Sequence, residues 1–202
     1  MKEKKMKAVN IFMMVLLTII ITGCGDSLPV EEDLSNKKYE LLNQDSVRVV
    51  YPELVKGKIA IVGYVFTNCP DICPLTTNNM RLVQERVKEE GIKNVEFVTI
   101  SFDPLFDTPS VLKEYAEVRR LDTSNWTFLT GDKEVTDQVI KDVGVVAVPS
   151  DSTLMESGEM MYFYVHTDRI NLMDEQGRIR ASYLGSQADI EQIVNDIKLL
   201  AN

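Results

Sequence analysis

At 202 residues, with 45% apolar and 26% charged side chains, the chain has the size and composition of one globular domain plus a leader, which argues against a disordered protein. The formal charge of −9 goes to about −12 once a leader with four lysines and one glutamate is removed, and such acidity argues against nucleic acid as a partner. One histidine and three cysteines leave few residues for metal or thiol chemistry.

The N-terminus carries Lys2, Lys4, Lys5 and Lys7 and then an apolar run over 11–21. A positive region, a short apolar region and a small residue before the cut predict a signal peptide over 1–23. A run of eleven residues is too short for the roughly 30 Å of a bilayer core, so a transmembrane anchor is the weaker alternative. Ile21-Thr22-Gly23-Cys24 resembles a bacterial lipobox, which makes Cys24 the expected lipidation site and the signal that of a lipoprotein. Plain cleavage is the alternative. Residues 24–44 are polar and poorly periodic, and they read as a lipid-anchored flexible tether with an average reach of roughly 25 Å. The folded domain is expected over 45–202.

Within that domain, strands are expected over 47–51, 59–66, 95–101 and 126–129. Helices are expected over 74–90, 109–120 and 132–143. Residues 145–159, with Pro149, Ser150, Asp151, Ser152, Ser157 and Gly158, read as a long loop. Strand-like runs follow over 162–165 and 169–173. A turn at Gly177 then leads to a strand over 179–183 and a closing helix over 187–200. Strands separated by helices, then a hairpin and a last helix, predict an α/β fold with a central mixed sheet flanked by helices.

Two cysteines stand together in Phe66-Thr67-Asn68-Cys69-Pro70-Asp71-Ile72-Cys73-Pro74, where a buried strand hands over to a helix. Pro74 suits a first helical position, so Cys73 is expected at the N-cap. The positive end of the helix dipole then favours thiolate over thiol. Such a pair can form a disulfide, exchange disulfides with a partner or bind a soft metal. A purely structural disulfide would close a loop too short to add much stability.

Elsewhere the chemistry is sparse. His166 alone has a bland structural reading, but beside two thiolates it completes an S₂N set suited to copper, with Cu(I) favoured by the sulfurs. Zinc prefers four ligands, and the domain offers no fourth cysteine or histidine. Asp71 lies between the cysteines. Asp103 ends the strand expected over 95–101, where it is either a turn former before Pro104 or an acidic neighbour of the site. Met155, Met160 and Met161 read as loop and core residues before soft ligands.

Taken in order, Cys69-Pro70-Asp71-Ile72-Cys73-Pro74, Ser101-Phe102-Asp103-Pro104 with Asp107-Thr108-Pro109, Trp126-Thr127-Phe128-Leu129-Thr130-Gly131, and His166-Thr167 before Leu172-Met173-Asp174-Glu175-Gln176-Gly177 resemble the Sco/SenC family over about residues 40–200. The resemblance implies a thioredoxin-like fold whose usual C-x-x-C is lengthened to C-x-x-x-C. It also implies a copper site made of Cys69, Cys73 and His166, handling Cu(I), Cu(II) or both, with Asp103 tuning the site without ligating. Family members help to assemble the CuA centre of cytochrome c oxidase on the outer face of the energy-conserving membrane. The implied partners are therefore the CuA-bearing oxidase subunit, a copper donor, a thiol reductant and the membrane, reached through a lipid anchor in the bacterial cell envelope. Some members act mainly on thiols, so a thiol–disulfide oxidoreductase is the alternative function.

Overall fold

The computed structural model describes residues 28–154 and 160–201. Among these residues ten strands and four α-helices follow one another. The strands are β1 (Glu32–Asp33), β2 (Tyr39–Asn43), β3 (Arg48–Tyr51), β4 (Ile59–Val65), β5 (Val95–Ser101), β6 (Trp126–Thr130), β7 (Ala147–Leu154), β8 (Met160–His166), β9 (Ile170–Met173) and β10 (Arg178–Tyr183). The helices are α1 (Ile72–Glu89), α2 (Pro109–Val118), α3 (Lys133–Asp142) and α4 (Ile190–Ala201).

Eight strands form one mixed sheet in the order β1-β10-β9-β4-β5-β6-β2-β3, with β4, β5 and β6 parallel. The crossovers between these parallel strands are α1 and α2. Every residue of β4 is buried, and its alternation divides the two faces of the sheet. Ile59 and Ile61 join a core with Met80 and Val83 of α1, Leu112 of α2 and Ile193 and Ile197 of α4. Ala60, Val62 and Tyr64 join a second core with Val139 and Ile140 of α3. The expected central mixed sheet flanked by helices is therefore observed. β7 and β8 form a separate two-stranded sheet beyond its edge. No helix among the described residues is long and apolar enough to cross a membrane.

Three expectations are corrected. Residues 28–44 are not a flexible tether: β1 pairs with β10, and β2 pairs with both β3 and β6. Leu34, Tyr39 and Leu41 are buried in the core, which is the driving force that orders this segment. The stretch expected as a loop over 145–159 contains β7, whose irregular register between Pro149 and Ser152 absorbs the proline and polar residues that suggested a loop. Cys73 is not the N-cap: Asp71 is, and α1 begins at Ile72. Signal peptide, Cys24 and Met155 lie outside the described residues.

Candidate metal centre

The parallel strands β4 and β5 run side by side and deliver their carboxyl ends to the same edge of the sheet. The loop after β4 carries Cys69, and the first turn of α1 carries Cys73. A backbone bond from Cys69 N–H to the Phe66 carbonyl, 3.3 Å, folds the loop back on itself. The loop is also pinned by Asp107. Its carboxylate accepts from the Thr67 N–H at 3.0 Å, the Thr67 hydroxyl at 2.5 Å and the Ser101 hydroxyl at 2.5 Å. Asp107 is fully buried, and burial outweighs these bonds to push its carboxyl up to about 6.

His166 is the last residue of β8, and the hairpin brings it over the cysteines. The two Sγ atoms and a ring nitrogen of His166 all lie within 4.8 Å of one another, and Cys73 Sγ is 3.9 Å from Nε2. On the other side of the ring, Nδ1 lies 3.2 Å from the Thr167 carbonyl. A carbonyl only accepts, so in the neutral ring the proton belongs on Nδ1 and Nε2 turns its lone pair to the sulfurs, where it can ligate a metal, whereas in the protonated ring Nε2–H donates to the Cys69 thiolate. Phe66 stands edge-on to the imidazole with ring centres 6.0 Å apart, and Phe102 packs at 5.0 Å. Asp168, two residues on, accepts from the Thr76 hydroxyl and the Ser186 N–H, both at 2.8 Å, and so ties the chain after His166 to α1.

The two thiols are unequal. A hydrogen bond from the Cys73 thiol holds Cys69 far below the ordinary thiol range against the opposing effect of burial, with further help from His166 and from the backbone N–H groups of Cys73 and Asp71. Cys73, the donor of that bond and the more buried group, is pushed up. Burial draws His166 down, but its contact with Cys69, the Thr167 carbonyl and the charges of Cys69 and Asp168 together leave it raised. At 9% exposure against 1%, Cys69 is also the sulfur that a partner reaches first.

Of the residues singled out from sequence, Cys69, Cys73 and His166 are brought together. Asp71 is exposed, makes no side-chain cap and contributes its backbone N–H to Cys69 instead of its carboxylate. Asp103 is buried and stands outside the donor group: it accepts from the hydroxyls of Tyr162 and Tyr164 of β8. It thus fastens the histidine-bearing strand to the end of β5. Sequence reasoning missed Asp107, Asp168, Tyr162 and Tyr164. The Asp103/Asp107 spacing at the end of a strand was the signal available for the first of these, but Asp107 beside Thr108-Pro109 reads as part of a helix start.

The SCO1/SenC family model matches residues 29–202. A SCO1/SenC family lipoprotein from Bacillus anthracis is 33% identical with a TM-score of 0.72, and the match covers 86% of this chain and 98% of that one. ScoI of Bradyrhizobium japonicum, solved with copper bound, is 27% identical with a TM-score of 0.66, covering 81% and 97%. BsSco, described through a disulfide switch as a member of the Sco family of cytochrome c oxidase assembly proteins, is 25% identical with a TM-score of 0.68, covering 87% and 98%. The expected thioredoxin-like fold is the fold of these neighbours. With the family model spanning nearly all the described residues, the chain belongs to the SCO1/SenC family.

Proposed function

We propose that the protein is a membrane-tethered copper-binding assembly factor that delivers copper to the CuA centre of a cytochrome c oxidase. The observation that carries this reading is the meeting of Cys69, Cys73 and His166, with all three donors within 4.8 Å. Two sulfurs and an imidazole nitrogen suit copper. No further histidine, cysteine or carboxylate joins the group among the described residues, which disfavours a structural zinc site. The copper-bound ScoI structure supports the same cargo.

Copper here is a cargo, and a three-donor site at the sheet edge allows it to leave by stepwise exchange of ligands with the acceptor. Oxidation of the cysteines to a disulfide removes both thiolates, so loading requires the reduced pair. Lipidation of Cys24 places the protein on the outer side of the cytoplasmic membrane, a reading supported by the lipoprotein nature of the Bacillus anthracis relative. Only three residues separate Cys24 from Leu28, where the described fold begins, so the reach is at most about 15 Å and the domain sits close to the bilayer.

The inequality of the thiols supports a second reading as a thiol–disulfide oxidoreductase. The Cys69 thiolate attacks a disulfide of the acceptor, one acceptor thiolate leaves, and Cys73 then displaces the second. Cys69–Cys73 ends oxidised and the acceptor dithiol reduced, and a separate dithiol must reset the protein. The two readings part when copper-loaded protein is mixed with a copper-free CuA domain whose cysteines are already reduced. Transfer that yields CuA absorption and fails with H166A supports delivery. CuA assembly that needs only free copper salt, with H166A as active as the parent on an oxidised acceptor, supports the oxidoreductase.

A further inference from the structure

Helices α1, α2 and α3 end in the same way. In α1 the N–H of Gly91 bonds the Lys88 carbonyl and that of Ile92 the Val87 carbonyl. In α3 the pairs are Gly144 to Lys141 and Val145 to Ile140, and in α2 they are Arg120 to Glu117 and Leu121 to Ala116. The residue that makes each turn is left-handed, with φ of +69° at Gly91, +69° at Gly144 and +52° at Arg120. Glycine adopts this conformation freely, whereas a side chain is strained there. The backbone already satisfies the terminal carbonyls of α2, so ending the helix does not require the guanidinium. Arginine at 120 therefore carries a local cost that its sister helices avoid, and an observed strain of this kind points to a role for the side chain.

The surroundings indicate what that role is. Arg119 lies over the ring of Tyr115, with Cζ 3.7 Å from the centroid, a contact that holds the guanidinium at this place. Arg119 and Arg120 together with Arg81 and Lys88 of α1 line a cleft of about 430 Å³. Arg81 is paired with Glu85 at 2.5 Å and Lys88 with Asp122 at 3.4 Å. Among the described residues, neither Arg119 nor Arg120 has a carboxylate partner. Four cations against two carboxylates make a local positive site on a chain whose formal charge is −9.

We propose that this cleft binds a phosphate group, with the guanidinium forks of Arg119 and Arg120 as its principal donors and Arg81 and Lys88 adding charge. The phosphate belongs either to a soluble phosphorylated compound or to a phospholipid headgroup. The second source is open because Leu28 packs against the same core layer as α1 and α2. A lipid anchor at Cys24 would bring the bilayer to that side, and this source alone rests on the tethering described under Proposed function.

The test uses the full chain in non-ionic detergent, titrated calorimetrically with inorganic phosphate at low ionic strength, alongside R120G and R119Q. The expected result is saturable binding of one phosphate per chain, weakened at least tenfold in both variants, while R120G melts above the parent because its turn is relaxed. In parallel, partition onto phosphatidylglycerol and phosphatidylcholine vesicles separates the sources. A deficit of R120G confined to phosphatidylglycerol assigns the headgroup, and equal partition with phosphate binding retained in the parent assigns a soluble compound. The proposal is overturned if R120G binds phosphate and vesicles like the parent, if no saturable binding occurs in either arm, or if R120G melts below the parent.

Discussion

Cys69 and Cys73 are four residues apart on one loop and first helical turn, yet they are different chemical groups. The thiol of Cys73 stabilises the thiolate of Cys69, so removing it must raise the Cys69 pKa. Thiolate absorbance of the reduced protein is expected to show one sulfur ionised well below pH 7, and C73A should move that titration up toward the ordinary thiol range. An unmoved titration would mean that His166 and the backbone do the work. Asp107 gives a second expectation. Its folded pKa of about 6 lies above the unfolded value of 3.8, so the folded state holds the proton more tightly. Its contribution is fully present below about pH 4 and is lost as pH rises through about 6, by about 3 kcal/mol in total. Relative to the parent, D107N should therefore show a shallower loss of stability between those limits, measured by urea unfolding. Residue type alone exposed the cysteines and the histidine, because few side chains bind soft metals. Asp107, Asp168 and the two tyrosines were not legible, because their function lies in hydrogen bonds to residues far along the chain.

The element that completes the site is the β7–β8 hairpin, a two-stranded sheet that depends on its neighbours for stability. Its inner aromatic side is anchored where Tyr162 donates to the buried Asp103 and where Tyr164 packs on Phe66 and Phe102 with ring centres 5.1 and 5.4 Å away. Y162F removes a donor from a buried carboxylate, which should cost about 1–3 kcal/mol of stability. It should also weaken copper retention about tenfold by loosening the strand that carries His166. Competition with a copper chelator checks this: retention equal to the parent would show that Asp103 does not position the hairpin, whereas a loss as large as that of H166A would make Tyr162 as important as the ligand. Most regular elements were readable from periodicity, above all β4 and α1. The hairpin was not, since Pro149, Ser150, Asp151 and Ser152 look like turn residues and are accommodated only by the register shift against β8.

At the scale of the molecule, two cores pack on opposite faces of one sheet, and the segment expected as a tether, with β1 and β2, is part of that sheet. β1 looked like tether because it is a short, exposed edge strand of Glu32 and Asp33, with no apolar periodicity to announce it. Hydrogen exchange should find the amides of β2, paired on both sides with β3 and β6, protected as strongly as those of the central strands. Exchange at the rate of a free coil would restore the tether. The parallel strands place the cysteine loop and Asp103 at one edge, and the hairpin closes over that edge, so the fold itself assembles the donors.

The measurement that tests the central claim most directly is copper binding to the reduced protein, by stoichiometry and absorption, beside H166A and the C69S/C73S double variant. The expected result is one copper per chain with thiolate charge-transfer bands, lost in the double variant, and with Cu(II) held more weakly than Cu(I) in H166A because two thiolates suffice for linear Cu(I). Failure of the reduced parent to retain copper, or Cu(II) held by H166A as tightly as by the parent, would contradict a Cys69–Cys73–His166 copper site.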